Sequence, residues 1–114
     1  MISFACKEIE FSHLLKCSFG LTKGEYKLLN LMLDSDHELS ALELAKKAEA
    51  DRSTAQKALS GLMQKGLAMR RQVNQSVGGY LYYYHPLPKP QIKNKMLATI
   101  GNWHDKVKIE IEHW

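Results

Sequence analysis

Few side chains in this chain are spaced for catalysis or metal binding. Cys6, His13 and Cys17 follow at intervals of seven and four residues. On a helix that spacing gives one face and invites a metal or redox switch. Cys6 and Cys17 would then stand ~16 Å apart, too far for a shared ion or a disulfide between them. His13 and Cys17 are two ligands where a structural zinc site needs four, so only a site shared between two subunits is open. The cysteines read as small apolar residues at a helix interface. His85, His104 and His113 have no carboxylate at a meaningful fixed spacing, and no Ser–His–Asp set or phosphate loop is legible. No enzyme, cofactor or resident metal is expected.

The chemistry that is legible is hydrogen bonding to a polyanion. The stretch DRSTAQKALSGLMQKGLAMRRQ, residues 51–72, opens with one aspartate and then carries no acid. A helix here presents Arg52, Ser53, Thr54, Gln56, Lys57 and Ser60. Small and amide side chains approach base edges: Gln56 matches adenine, while Ser53 and Thr54 suit bases or phosphates. Arg52 and Lys57 suit phosphate or guanine. Asp51 escapes the rule because a carboxylate at an N-cap bonds backbone N–H groups and meets the positive end of the helix dipole.

The charge distribution agrees. Net charge is +4, with six Lys against eight Asp and Glu in residues 1–50, and ten Lys and Arg against four acids in residues 51–114. No acid falls between Arg52 and His104, a span holding Arg52, Lys57, Lys65, Arg70, Arg71, Lys89, Lys93 and Lys95. One-signed segments suit polyanions, although a solvated basic face without a partner has the same composition.

Elements must position these groups. At 114 residues one domain is the prior. Phe4, Phe11, Leu14, Leu15 and Phe19 fall at near-helical spacing and predict an N-terminal helix over 1–19, ending at Gly20. Thr22 with Glu25, and Ser40 with Glu43, are capping boxes for two further helices. In the second, Leu42, Leu44, Ala45 and Ala48 form the buried side. Asp51 caps a third helix whose Ala55, Leu59, Leu62 and Met63 point inward, and Gly66 stops it. LAMRRQV and YLYYYH read as two strands of a hairpin, joined by NQSVGG. Alternate tyrosines among Tyr80, Tyr82, Tyr83 and Tyr84 pack as core, the others lying near phosphates or the last helix. After PLPKP, a final helix over 89–114 carries Ile92, Met96, Ile100, Trp103, Val107, Ile111 and Trp114 in an eleven-residue repeat. At ~1.5 Å per residue it runs ~40 Å, longer than a domain this small is wide, so part of the seam needs a partner.

Two short helices, a tight turn and a hairpin make a helix-turn-helix with a wing. Through SALELAKKAEADRSTAQKALSGLMQKGLAMRR and GGYLYYYHPLP, the chain resembles the small winged helix-turn-helix transcriptional regulators of the MarR/TrmB type over about residues 20–88. The resemblance implies a mainly α fold with a small β-hairpin wing, flanked by N- and C-terminal dimerisation helices: helix 1–19, winged-helix core 20–88, and dimerisation helix 89–114. It implies a homodimer on double-stranded DNA, with a pseudo-palindromic site of half-sites about 34 Å apart. Arg52, Ser53, Thr54, Gln56, Lys57 and Ser60 would enter the major groove. Arg70 and Arg71 would hold the backbone beside the wing, with Asn74 and Gln75 at its tip. MarR-type wings carry an Asp-x-Arg signature that NQSVGG lacks, which leaves minor-groove reading to Asn74 and Gln75. A sugar-sensing domain is not implied. Any small-molecule effector would use the groove between the last helix and the winged core, and none is named. No leader or membrane span is readable, so a cytoplasmic, nucleoid-associated protein is expected. The reading from another class is a winged-helix protein-interaction module within a larger assembly, without DNA binding.

Overall fold

The computed structural model describes residues 1–114. In chain order the elements are strands β1 (Ile2–Phe4) and β2 (Lys7–Ile9), helices α1 (Phe11–Phe19) and α2 (Lys23–Leu33), strand β3 (Leu39–Ser40), helices α3 (Ala41–Ala48) and α4 (Arg52–Gln64), strands β4 (Ala68–Asn74) and β5 (Tyr80–Pro86), and helix α5 (Lys89–Glu112). The fold is mainly helical with a small β-hairpin wing. No helix is long and apolar enough to cross a membrane. The chain forms two compact units, Leu21–Leu87 and, separately, Met1–Gly20 with Pro88–Trp114.

In Leu21–Leu87 the local signals act as their chemistry requires. Thr22 and Ser40 each accept from the backbone N–H three residues on, and Glu25 and Glu43 accept in return, so both capping boxes are complete. Helix α3 ends on Glu49 in the left-handed region (φ 55°), a conformation that glycine usually takes. Lys27 Nζ reaches the end of α3 and donates to the Ala48 carbonyl at 2.7 Å. These contacts fix the tight turn into α4. Gly66, at φ 72°, ends α4 and reverses the chain into β4.

The core of this unit is leucine-rich. Leu29 of α2, Leu44 of α3, Leu59 and Leu62 of α4, and Leu67 are fully buried, with Leu39 and Tyr84 closing it from the sheet. Ala55, Leu59 and Leu62 give α4 its inward stripe at i, i+4, i+7. Leu42, expected on the buried side of α3, is exposed, and Ala41 takes its place; the stripe begins one residue earlier than the pattern suggested. The sheet is antiparallel in the order β3-β5-β4. Strand β3 pairs Leu39 with Tyr84 and Ser40 with Tyr83. Its two residues are too short a run to announce themselves in the sequence.

The other unit differs from expectation at its start. Residues 1–19 are not one helix: β1 and β2 form a hairpin pairing Ile2 with Ile9, Ser3 with Glu8 and Phe4 with Lys7. The seven-residue spacing of Phe4 and Phe11 also fits a strand followed by a helix, and the alternation Ile2, Phe4 decides for the strand. Cys6 lies in the hairpin turn, so Cys6, His13 and Cys17 do not share a helical face, and both cysteines are exposed rather than packed. Helix α1 packs on α5 within this unit. Ile92 and Met96 are already buried in the chain. They are therefore not free to form a dimer surface, which corrects the first third of the expected seam. From Trp103 onward, the apolar face is largely open.

Candidate nucleic-acid interface

Helix α4 starts on Asp51, whose Oδ1 accepts from the Thr54 N–H at 2.7 Å. That backbone hydrogen bond, with the Thr54 side chain, holds the Asp51 carboxyl below its ordinary value. The charge that stands first in the sequence is thus spent on the helix end. Beyond it, Arg52, Ser53, Thr54, Gln56, Lys57 and Ser60 are all exposed, while Ala55 and Leu59 turn inward. Arg52, Gln56 and Ser60 recur at i, i+4, i+8, and Ser53 with Lys57 at i, i+4, so the polar residues form two adjoining rows on one side of the helix.

The wing stands beside this face. A groove of about 360 Å³ runs between α4, the start of α3 and β5, lined by Arg52 and Gln56 on one wall and Leu42, Tyr80, Tyr82 and Tyr84 among the others. Exposed Leu42 and Tyr80 give the groove an apolar side next to the Gln56 amide. Alternation does not divide the β5 tyrosines as expected. Tyr80, Tyr82 and Tyr84 share one face, yet only Tyr84, at the end nearest the core, is buried, while Tyr82 is half-buried and Tyr80 exposed; Tyr83, on the other face, is half-buried. Tyr80 and Tyr82 meet edge to face with ring centroids 5.3 Å apart.

Arg70 and Arg71 lie in the edge strand β4, opposite Tyr84 and Tyr83 respectively. Successive strand residues point to opposite faces, so the two guanidinium groups part company. Arg70 stacks 4.0 Å above the Tyr82 ring centroid, on the face that Tyr80, Tyr82 and Tyr84 share. Arg71 turns to the other face. There its Nε donates to Glu38 Oε1 at 3.0 Å and its Nη2 stands 2.9 Å from the same oxygen. The Arg71 hydrogen bond and charge hold the Glu38 carboxyl below its ordinary value, and the hydrogen bond to Glu38 and its charge push Arg71 up. His85 Nδ1 lies 3.4 Å from Glu38 Oε2. A carboxylate therefore stands at the base of the wing, and His85 does have an acidic neighbour. Sequence reasoning missed Glu38 because 33 residues separate it from Arg71. Tyr82 and Leu42 were also missed as members of the site. Alternation along YLYYYH carried a weak signal for the first, and nothing signalled the second.

Beneath α4 a second charged pair is structural. Glu25 is buried and accepts from Lys65 Nζ and from the Thr22 N–H. Burial alone would raise its carboxyl, but the Lys65 hydrogen bond, the Thr22 N–H and the Lys65 charge together carry it below the ordinary range. Gly61 of α4 makes room for this carboxylate, since a Cβ there would overlap Glu25 Oε2. The pair ties α2 to the end of α4 and sets that helix, with its exposed polar side, against the rest of the unit.

This geometry has known relatives. Residues 15–89 match the family described as sugar-specific transcriptional regulator TrmB. The chain belongs to the TrmB family. A solved structure from Methanosarcina mazei Go1, described as a possible transcriptional regulator, is 33% identical, with a TM-score of 0.91 over 100% of this chain and 96% of that one. A protein of Methanocaldococcus jannaschii, described as uncharacterized, is 33% identical over 102 residues, covering 90% of this chain and 83% of its own. TrmBL2, described as an archaeal chromatin protein with a novel mode of DNA binding, is 25% identical with a TM-score of 0.62; the match covers 90% of this chain but 35% of TrmBL2. This TrmB-family chain is thus a winged-helix transcriptional regulator. The family description mentions sugar, yet the match ends at residue 89 and lies almost wholly in the winged-helix part.

Proposed function

We propose that the protein binds double-stranded DNA sequence-specifically as a homodimer, each subunit laying α4 into a major groove. The observation that carries this reading is the outer side of α4: Arg52, Ser53, Thr54, Gln56, Lys57 and Ser60 all exposed, with the single nearby carboxylate engaged in capping. Gln56 reads a base edge, with the apolar side of the groove beside it suited to a thymine methyl group. Arg52 and Lys57 take phosphate or guanine, and Ser53, Thr54 and Ser60 make shorter contacts to bases or backbone. Arg70, on the tyrosine face of the wing, holds the backbone. Arg71 does so on leaving Glu38. Asn74 and Gln75, both exposed at the start of the wing tip, approach the minor groove.

The homodimer rests on the open half of α5. Trp103, Val107, Ile111 and Trp114 line a shallow groove of about 410 Å³ with Lys106 and Glu110. A patch of this kind suits a second copy of the same helix, with Ile100 at its half-buried edge. Two-fold symmetry then implies a pseudo-palindromic site with half-sites one turn, about 34 Å, apart. Such a ligand places the protein on the nucleoid, in the cytoplasm. Selection of bound sequences from a random duplex pool tests the whole reading. A symmetric motif with that spacing is expected. Failure to enrich any motif, with no gel shift on random duplexes at low salt, would favour a protein-interaction module instead.

A further inference from the structure

The N-terminal hairpin has no work to do inside its own chain. From Met1 to Glu10 only Ile9 is partly covered, and a lone two-stranded hairpin is at best marginally stable in water. Yet it is amphipathic. The pairs Ile2–Ile9 and Phe4–Lys7 lie on one face, and Ser3–Glu8 on the other. The apolar face is open, with Phe4 65% exposed, and Phe11 follows at 60%. The distal half of α5, in the same unit, is also uncovered: Trp103 is 61% exposed and Trp114 wholly so. These are two unpartnered apolar faces on one chain, the geometry that a reciprocal two-fold contact covers.

We infer that residues 1–10 form an arm that packs its Ile2–Phe4–Ile9 face onto the distal half of the partner subunit's α5, alongside the contact between the two α5 helices. This rests on the homodimer proposed above and assigns part of the interface to a segment outside the α5 seam. Area supports a second copy as the occupant. Aromatic side chains bury roughly 200 Å² each, so the exposed parts of Phe4, Phe11, Trp103 and Trp114, with Ile2 and Ile111, come to about 800 Å² per subunit, the share of a standard stable interface. The α5 groove alone supplies about half of that. Charge does not oppose the contact: Lys7 sits at the rim of the hairpin's apolar face, and the α5 groove carries one residue of each sign, Lys106 and Glu110.

Cys6, exposed in the hairpin turn, provides the probe. The Cys17→Ser chain, prepared in light and nitrogen-15-labelled forms, is mixed and labelled at Cys6 with a benzophenone maleimide. After irradiation, mass spectrometry should find light–heavy cross-links from Cys6 to residues 103–114. Cross-links only within one isotopic form, or to another part of the partner, would overturn the arm while leaving the dimer intact. Sedimentation separates the two claims. Phe4→Asp should raise the dimer dissociation constant at least tenfold with an unchanged helical circular dichroism signal; an unchanged constant counts against the arm. If the unsubstituted chain sediments as a monomer at every concentration, the homodimer itself fails and the arm falls with it.

Discussion

Glu38 makes the wing a competition, and removing it gives a measurable result. In the unliganded chain Arg71 and Glu38 sum to zero charge, and both are partly exposed to solvent. A phosphate must displace the carboxylate to use Arg71. Glu38→Ala deletes the competitor and leaves one more uncompensated cation at the wing. Each phosphate neutralised contributes about −0.9 to the slope of log K against log salt on duplex DNA. Glu38→Ala should therefore steepen that slope by up to about 0.9, so that a fourfold rise in salt weakens the variant by roughly 3.5-fold more than the parent. Fluorescence anisotropy on one duplex across a salt series reads both quantities. At low salt the variant should bind more tightly. In an Arg71→Ala background the same substitution should lose most of its effect, because nothing remains to be released. Equal gains in both backgrounds would reduce Glu38 to a generic like-charge repulsion. An unchanged slope and affinity in the single variant would refute the placement of Arg71 at the DNA backbone, leaving Arg70 alone in that role.

Other variants probe other parts of the molecule. Gln56→Ala should lose about 1–3 kcal/mol of discrimination at one base pair per half-site while non-specific binding persists, as read by selection from a random pool. Trp103→Asp should sediment as a monomer; an unchanged dimer mass would remove the distal α5 face from the interface. Gly61→Ala gains roughly 0.5–1 kcal/mol of helix propensity but pushes the flexible end of Glu25 aside and disturbs its bonds to Lys65 and the Thr22 N–H, worth roughly 1.5–3 kcal/mol, so a net destabilisation of about 1–2 kcal/mol should appear in urea unfolding. Because the folded-state Glu25 carboxyl lies below its unfolded value, the stability it contributes is complete above the ordinary glutamate range, about pH 4.3, and is lost as pH falls through its depressed folded value. Glu25→Gln should flatten that part of the stability profile, and an identical acid limb in the two chains would refute the role given to the pair.

Short-range chemistry was legible in the sequence. Thr22 with Glu25, Ser40 with Glu43, Asp51 before the helix and Gly66 after it each act on backbone groups within four residues, so their effect is local and independent of the rest of the chain. The inward stripe Ala55, Leu59, Leu62 and the acid-free run that follows Asp51 are equally one-dimensional facts, and they determined the winged-helix fold and the α4 face. The N-terminal hairpin was misread because Phe4 and Phe11 satisfy two periods at once over so short a stretch.

Only the tertiary structure decided what stands next to what. It brought Glu38 to Arg71 through the pairing of β3 with β5, sent Arg70 and Arg71 to opposite faces, and put Glu25 on Lys65 across the notch at Gly61. It also hid Ile92 and Met96 while leaving Trp103 and Trp114 open. Such juxtapositions join residues many positions apart, and their energies depend on distance in space. A linear pattern records the charge or apolarity of each residue but not the neighbour that cancels or covers it.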